Sequence, residues 1–233
     1  MLTPRKLVED FRREVDDPLI PGEAAPDAPD RDSLWKSGEI LGYINEAQRE
    51  VARHTWLLRG SVTLDVVADD PLVEAPEDLM VPRRARLLQS RVVLGVRNLN
   101  EMSMDHLEDY GRQGLSTWEE ARGRPRFVCF DDAADEIRLV PEPTEDDTLE
   151  LKYFRWPAEV QRETGTLDVR RPEYKRALLC WMKHLAYRKQ DADALDLQRS
   201  DMFERDFEME ISKVYGEVRR RTRRAGNVRY GGL

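Results

Sequence analysis

The sequence predicts an α+β protein in which helices from both ends of the chain form a bundle that carries an inserted antiparallel β domain. Residues 34–58 place apolar side chains at a helical period, and the pattern becomes strand-like by Val62. The helical period returns after Pro157. Because amphipathic helices must bury their apolar faces, the economical arrangement packs the two ends against each other. The predicted divisions are a discontinuous bundle at residues 1–60 and 158–222, a β insertion at 61–157 and an extended tail at 223–233.

The first predicted helix begins at Pro4 with Thr3 as its N-cap, because proline is favoured at the first helical position. Its buried face carries apolar residues at helical spacing: Leu7, Val8, Phe11 and Val15. Residues 17–32 follow, and their prolines exclude a regular helix or strand. A loop of this length is either functional or a tolerated surface insertion, and the sequence leaves both interpretations open.

The second predicted helix extends to about residue 58. Its apolar stripe has the spacing i, i+4, i+7 and i+11, at Ile40, Ile44, Ala47 and Val51. Gln48, Arg49, Glu50 and Arg53 fall mostly outside this stripe. The pattern therefore predicts an amphipathic helix with one face in the core.

The middle of the chain is predicted to form strands, because short runs of alternating apolar residues are separated by acidic turns. The clearest run places Leu149, Leu151 and Tyr153 on one face and charged residues on the other. A short helix is expected at residues 103–111, between strands. The predicted strands are 61–67, 85–89, 126–130, 136–140 and 149–156.

Two more helices are predicted after residue 157. The first begins at Pro172 and carries the stripe Tyr174, Leu178, Trp181 and Leu185. A polar joint at 190–194 leads into the last helix, whose stripe is Phe203, Phe207, Ile211, Val214 and Val218. These patterns predict a set of side chains that pack within the bundle or between subunits: Trp35, Ile40, Ile44, Val51, Trp181, Leu185, Phe203, Phe207 and Ile211.

Composition restricts the possible functions. Charged residues make up 36% of the chain, against a usual ~25%, which suits long solvated helices better than a deeply cleft enzyme. The net charge of −8 argues against general nucleic-acid affinity for the body of the protein. Cys129 and Cys180 are far apart in apolar surroundings, as expected of buried thiols in a reducing compartment. We also expect no membrane span, because no apolar run reaches the ~18 residues that one needs.

No motif for catalysis, cofactor binding or metal binding is found in the sequence. The phosphate-binding glycine loops and the nucleophile elbow are absent. His54, His106 and His184 lack metal-type partners at helical spacing, and turn chemistry explains the acidic clusters at 131–135 and 145–147. We therefore predict a protein that is not an enzyme and needs no cofactor or metal. A small hydrolase has only scattered acids to support it.

The C-terminal segment is strongly basic on an otherwise acidic chain. No acidic residue follows Glu217, whereas arginines recur to the end: Arg219, Arg220, Arg221, Arg223, Arg224 and Arg229. Three interpretations stay open. The segment docks into an acidic or carbonyl-lined groove of a partner protein, contacts nucleic-acid phosphates, or is a solvated helix end whose cations complement the helix dipole.

Several short motifs together resemble those of phage head-to-tail adaptor (connector) proteins. Trp35 precedes the helix EILGYINEAQREVAR at residues 39–53, and PEDL at 76–79 precedes an apolar strand. Trp118 is followed by GRPRF at 123–127, and IRLVPEP at 137–143 ends a strand. The resemblance covers roughly residues 34–190 and lies in the order and spacing of these motifs.

The resemblance implies a twelve-fold ring around a DNA channel, with helices near the portal and the β region facing the tail. The implied partners are the portal protein, a tail protein (nozzle or tail-tube), other copies of the chain, and double-stranded DNA that passes through the lumen without sequence-specific binding. We expect assembly in the host cytoplasm and a final place at the head–tail junction of the virion. The predicted portal-docking element comprises the six arginines of the C-terminal segment, with Tyr230 as an aromatic anchor. The alternative is a nucleic-acid-binding accessory protein that acts through the same arginines.

Overall fold

The computed structural model describes residues 1–17, 33–98, 121–130, 135–190 and 194–224, with side chains as far as Gly216 in the last range. Helices and strands are both present, which confirms the predicted α+β class. The chain divides into two compact units. The helical unit consists of Met1–Leu58 and Pro157–Leu233, and the β unit consists of Arg59–Trp156.

The helical unit contains these α-helices among its described residues: α1 (Pro4–Glu14), α2 (Ser37–Thr55), α3 (Lys175–Ala186) and α4 (Leu197–Arg224). The first begins at Pro4 as predicted, and the Thr3 hydroxyl accepts a hydrogen bond from the backbone N–H of Lys6 at 3.3 Å. A 3-10 turn at Pro172–Tyr174 leads into α3. Proline thus opens both helical segments, where its missing N–H costs nothing.

The end of α2 differs from the prediction. The helix ends at Thr55, whereas the sequence pattern placed its end near residue 58. Trp56 has left-handed backbone angles, with φ 50° and ψ 40°, and its N–H still bonds to the carbonyl oxygen of Ala52 at 2.8 Å. A left-handed residue directly after the last helical residue is a common helix stop. β1 then begins at Arg59.

One apolar core joins the helices from the two ends of the chain. Trp35, which is 2% exposed, lies edge-on to Phe11 and to Tyr187, with ring centroids 5.9 and 6.0 Å away. Its indole Nε1 donates a hydrogen bond to the carbonyl oxygen of Ala186 at 3.3 Å. Residues from α1, α2, α3 and α4 belong to the same buried cluster.

The described residues of the β unit form a seven-stranded sheet in the order β1-β7-β3-β4-β5-β6-β2. Its strands are β1 (Arg59–Val66), β2 (Leu72–Glu74), β3 (Leu79–Leu87), β4 (Val93–Asn98), β5 (Phe127–Phe130), β6 (Glu136–Val140) and β7 (Asp147–Arg155). Its inner face buries an apolar cluster that includes Ala85, Val128, Ile137, Leu149 and Leu151.

The prediction of a purely antiparallel domain is wrong, because β4 and β5 run parallel, with Gly95 opposite Phe127. Parallel neighbours need a long connection that returns the chain to the starting side of the sheet. Residues 99–126 provide that length between these two strands. The predicted helix at 103–111 lies outside the described residues.

The sequence pattern does not predict β2 and β4. The first has three residues, which is too short for a visible alternation. The second begins in the consecutive apolar residues Val92, Val93 and Leu94, so its sequence lacks a period of two. The strand predicted at 85–89 starts earlier, at Leu79, and passes Pro82 through a local shift of register against β7.

Two cross-strand pairs combine a glycine with an aromatic ring. Gly60 lies opposite Tyr153, and a Cβ atom at Gly60 would come within 2.5 Å of that ring. Gly95 lies opposite Phe127 in the same way, with a closest approach of 2.8 Å. The rings cover the space that the glycines leave empty, which fixes the register of both strand pairs.

Candidate partner-binding surfaces

Most of the side chains predicted to pack within the bundle or between subunits lie in the core of the helical unit. Exposure is 6% or less at Trp35, Ile40, Ile44, Val51, Phe207 and Ile211. Trp181 and Phe203 are partly buried against this core, and Leu185 is of intermediate exposure. The first group is therefore used in contacts within the chain, whereas the second group also reaches the surface.

The arginine-rich segment begins on a helix. α4 continues to Arg224, so Arg219, Arg220, Arg221, Arg223 and Arg224 lie on helical backbone. The predicted start of the extended tail at residue 223 is therefore corrected, because the backbone is helical as far as Arg224. Arginine is a good helix former, and cations are favourable near a helix C-terminus. Arg229 and Tyr230 lie outside the described residues, as do the side chains of the arginines on α4.

Two side-chain amides on α2 hold the segment that returns from the β unit. Asn45 forms two hydrogen bonds with the backbone of Val160, donating to its oxygen at 3.1 Å and accepting from its N–H at 2.8 Å. The Gln48 Oε1 accepts from the N–H groups of Asp168 and Val169 at 3.0 and 3.2 Å. A buried backbone N–H without a partner is costly, so these amides determine where residues 158–169 pack.

The sequence pattern does not mark these amides as structural residues, and it places Gln48 mostly outside the buried stripe. The side chain is fully buried. A signal was nevertheless present, because Gln48 follows Ile44 by four positions and precedes Val51 by three. A polar residue on an apolar helical face indicates a buried hydrogen-bonding role.

The Asp17 carboxylate links the end of α1 to the residues that precede α2. Its carboxylate accepts hydrogen bonds from the N–H groups of Leu34 and Trp35 at 3.3 and 3.4 Å. The guanidinium of Arg12 lies 3.0 Å from the same carboxylate, and both side chains are buried. A second guanidinium nitrogen donates to the Ser37 hydroxyl at 3.2 Å. This pair therefore joins the end of α1 to the start of α2.

His184 and Ser200 lie within hydrogen-bond distance, but the pair is inaccessible to a substrate. The Ser200 hydroxyl lies 3.1 Å from the His184 Nδ1 and donates to the backbone oxygen of His184 at 3.0 Å. Ser200 is fully buried and His184 is 3% exposed. This contact lies in the interior and ties α3 to α4, and Trp181 stacks on the imidazole with ring centroids 4.7 Å apart.

Within the described residues, no three His, Cys, Asp or Glu side chains are grouped so as to hold a metal ion. None of the helices in the same ranges is both long and apolar enough to cross a bilayer. Cys129 and Cys180 are buried free thiols. Burial raises the pKa of Cys129 to about 11, although Arg138 and Arg97 lie nearby and act in the opposite direction.

An exposed aromatic surface of the helical unit lies where α2 ends beside α4. We call it the Trp56 groove, an open cavity of about 350 Å³ lined by Arg53, His54, Trp56, Ile211, Ser212 and Tyr215. Trp56 is 50% exposed and Tyr215 is 42% exposed. Large amphipathic rings of this kind are enriched where proteins bind one another.

A second exposed apolar surface lies on another face of α4. Met202 is 47% exposed and Met209 is 55% exposed. They are seven positions apart, so they project from the same side of the helix, and Arg205 lies between them. We call these three residues the methionine ridge. Methionine is flexible and polarisable, and it suits a surface that adapts to a partner.

Comparison with known proteins identifies the family. The family model described as SU10 adaptor protein matches residues 3–230, and the chain therefore belongs to that family. This match confirms the predicted relationship to phage head-to-tail adaptor proteins. The search of the curated proteins found no match.

Proposed function

We propose that this member of the SU10 adaptor protein family forms a ring at the head–tail junction of the virion, where it links the portal to the tail and extends the DNA channel. The observation that carries the proposal is the family match, which spans both the helical unit and the β unit. Phage adaptors are structural components of the virion. A net charge of −8 also suits a channel wall, since acidic surfaces repel the phosphates of passing DNA.

The proposed portal-docking element is the end of α4 with the residues that follow it, Arg219 to Leu233. The last buried side chain described on α4 is Val214, and the helix continues for ten residues to Arg224. At a rise of 1.5 Å per residue, the backbone of Arg219 to Arg224 lies roughly 7–15 Å past Val214 along the helix axis. Guanidinium groups bind carboxylates and carbonyl oxygens with two parallel hydrogen bonds, which suits a groove on a partner protein.

Truncation tests this element directly. Removal of residues 219–233 is expected to abolish co-sedimentation with the portal protein of the same phage, while the melting temperature stays close to that of the full chain. A matched control replaces Arg199, Arg205 and Lys213, basic residues earlier on α4, by glutamine and is expected to retain portal binding. Unchanged binding by the truncated chain would refute the docking assignment.

A second candidate function rests on the same arginines. A nucleic-acid-binding accessory protein would contact phosphates through them, with an affinity that falls steeply as salt rises. A gel shift of duplex DNA at ~0.1 M salt separates the two proposals, because the Debye length there is ~10 Å and only close contacts persist. The adaptor proposal predicts no shift by the isolated full chain.

A further inference from the structure

The outer face of three neighbouring strands in the β unit carries a cluster of basic side chains. Along β1, β7 and β3, paired residues point alternately to an apolar inner face and to a polar outer face. Leu149 and Leu151 of β7 are fully buried on the inner face, whereas Lys152 is exposed on the outer one. We call the exposed cations of the outer face the basic sheet face: Arg59, Arg83, Arg84, Arg86 and Lys152.

The strand register brings two of these cations together. Arg84 of β3 lies directly opposite Lys152 of β7. Like charges in this position destabilise a sheet, so the pair costs the folded chain free energy. Glu150 relieves only part of the repulsion, because it lies 3.4 Å from the Lys152 Nζ and 3.6 Å from the Arg86 Nε. Among the described residues, Arg84 forms no ion pair.

Apolar side chains adjoin these charges. The Arg83 guanidinium lies over the Phe154 ring, 5.7 Å from its centroid, and Arg59 lies opposite Phe154 in the ladder. Val93 of β4 lies opposite Arg86 and is 58% exposed. Protein–protein interfaces are enriched in arginine and aromatic side chains, and arginine predominates over lysine on this face.

These features favour a protein partner that carries carboxylates over a nucleic acid. Arginine binds carboxylates through two parallel, charge-assisted hydrogen bonds. Glu150 and Asp65 lie on the same outer face, where they would repel a continuous row of phosphates. The net charge of −8 on the whole chain opposes nucleic-acid binding further. An exposed Val93 is also suited to an apolar contact with a protein.

We propose that the basic sheet face binds an acidic surface of a partner protein. The inference rests on the proposed function and deepens it, since the partner in the virion is the tail protein that the adaptor joins. Carboxylates of the partner lie between Arg84 and Lys152, where favourable ion pairs replace the repulsion between the two cations. An apolar side chain of the same partner covers Val93.

Charge neutralisation tests the face. The double variant Arg84→Gln, Lys152→Gln is compared with the control variant Arg170→Gln, Arg171→Gln, which removes two exposed arginines of the helical unit. Each full-length chain is titrated into a fluorescent poly-glutamate peptide and is co-sedimented with the tail protein of the same phage. The double variant is expected to bind both probes roughly tenfold more weakly than the parent chain, and the control should bind them as the parent does.

Stability separates a binding role from a merely structural one. Arg84→Gln alone should leave the melting temperature unchanged or raise it, because it removes the repulsion from Lys152. The same variant should bind poly-glutamate severalfold more weakly. Weaker binding together with a lower melting temperature would show that Arg84 supports the sheet, and would overturn the proposal.

The other outcomes also overturn it. No binding of either probe by the parent chain removes the site, and an equal loss in the control variant shows dependence on net charge alone. Duplex DNA that is shifted by the parent chain at ~0.1 M salt, and not by the double variant, assigns the face to nucleic acid. Loss of self-association in the double variant assigns it to a second copy of the chain.

Co-sedimentation with the portal protein distinguishes this inference from the proposed function. A double variant that binds the portal and both acidic probes as the parent does removes the inference and leaves the proposed function. A parent chain that binds poly-glutamate through this face but does not bind the portal does the reverse.

Discussion

The helical unit and the β unit are held together in different ways. Specific contacts in the helical unit join residues far apart in the chain, such as Asn45 with Val160, Trp35 with Ala186 and Glu14 with Lys183, at separations of 115, 151 and 169 positions. The β unit is held by backbone ladders whose register is fixed by glycine–aromatic pairs. A helix forms its backbone hydrogen bonds internally, so side-chain contacts determine which elements pack against it. A strand instead needs a neighbouring strand to complete its backbone hydrogen bonds.

This difference bears on where partners bind. The backbone groups of a helix are hydrogen-bonded within the helix even on a face that lies outside the core. Such a face can therefore expose apolar side chains at moderate cost in free energy, as α4 does at Met202 and Met209. The free edge of a sheet presents unpaired N–H and C=O groups instead. The Trp56 groove and the methionine ridge both lie on the helical unit.

The largest predicted effect is the loss of the aromatic contact at the centre of the helical unit. Trp35→Ala should lower the free energy of unfolding by ~3–5 kcal/mol, because it removes a buried ring and leaves a cavity. Denaturant unfolding followed by circular dichroism measures the change. Trp181→Ala, at a partly buried position, is the matched control and should cost less. An equal loss at both positions would contradict the central role of Trp35.

The next prediction concerns the glycine–aromatic pairs of the β unit. Gly60→Ala should lower the free energy of unfolding by ~1–3 kcal/mol, because the new methyl group overlaps the Tyr153 ring. Gly42→Ala is the control: it lies in α2 with no atom within 4 Å of the added Cβ. There alanine should raise stability by ~0.5–1 kcal/mol through helix propensity. Thermal unfolding measures both variants. If the two substitutions shifted the melting temperature in the same direction, the contrast between the β unit and the helical unit would not hold.

A third prediction concerns the amide contacts of α2. Gln48→Ala should cost ~1–3 kcal/mol of unfolding free energy, since it leaves the N–H groups of Asp168 and Val169 without their acceptor. Arg49→Ala removes exposed ion pairs with Glu46 and Glu159 and should cost ~0–1 kcal/mol. Urea unfolding distinguishes them. Similar costs would show that the returning segment is held by other contacts.

The smallest predicted effect is confined to alkaline solution. Burial and the hydrogen bond from its hydroxyl to Asp78 raise the pKa of Tyr153 to about 12, from an ordinary value of 10.0. A raised folded-state pKa means that the neutral phenol stabilises the fold fully below pH 10, and that this contribution is lost as pH rises to about 12. Tyr153→Phe should remove this part of the alkaline decline in stability. An unchanged pH profile in the variant would contradict the assignment.

Several elements could be predicted from the sequence because their signals are local. Thr3 and Pro4 mark the start of α1, Pro172 marks the turn before α3, and residues 136–140 form β6 as predicted. Each depends on neighbours within a few positions, where capping, proline geometry and side-chain periodicity act directly. The site was less predictable, because Trp56 has an ordinary sequence context and only its backbone angles and exposure distinguish it.

The sequence by itself determined the α+β class, the apolar faces of the helices and the family, because these depend on residue order along the chain. Tertiary structure decided that Gln48 bonds to residues 168–169, that β4 and β5 run parallel, and that Trp35 is buried while Trp56 is exposed. The physical reason is that a buried hydrogen bond, a strand neighbour and solvent exposure are all set by residues distant in sequence. A local pattern identifies what a side chain can do, and the fold selects which partner it meets.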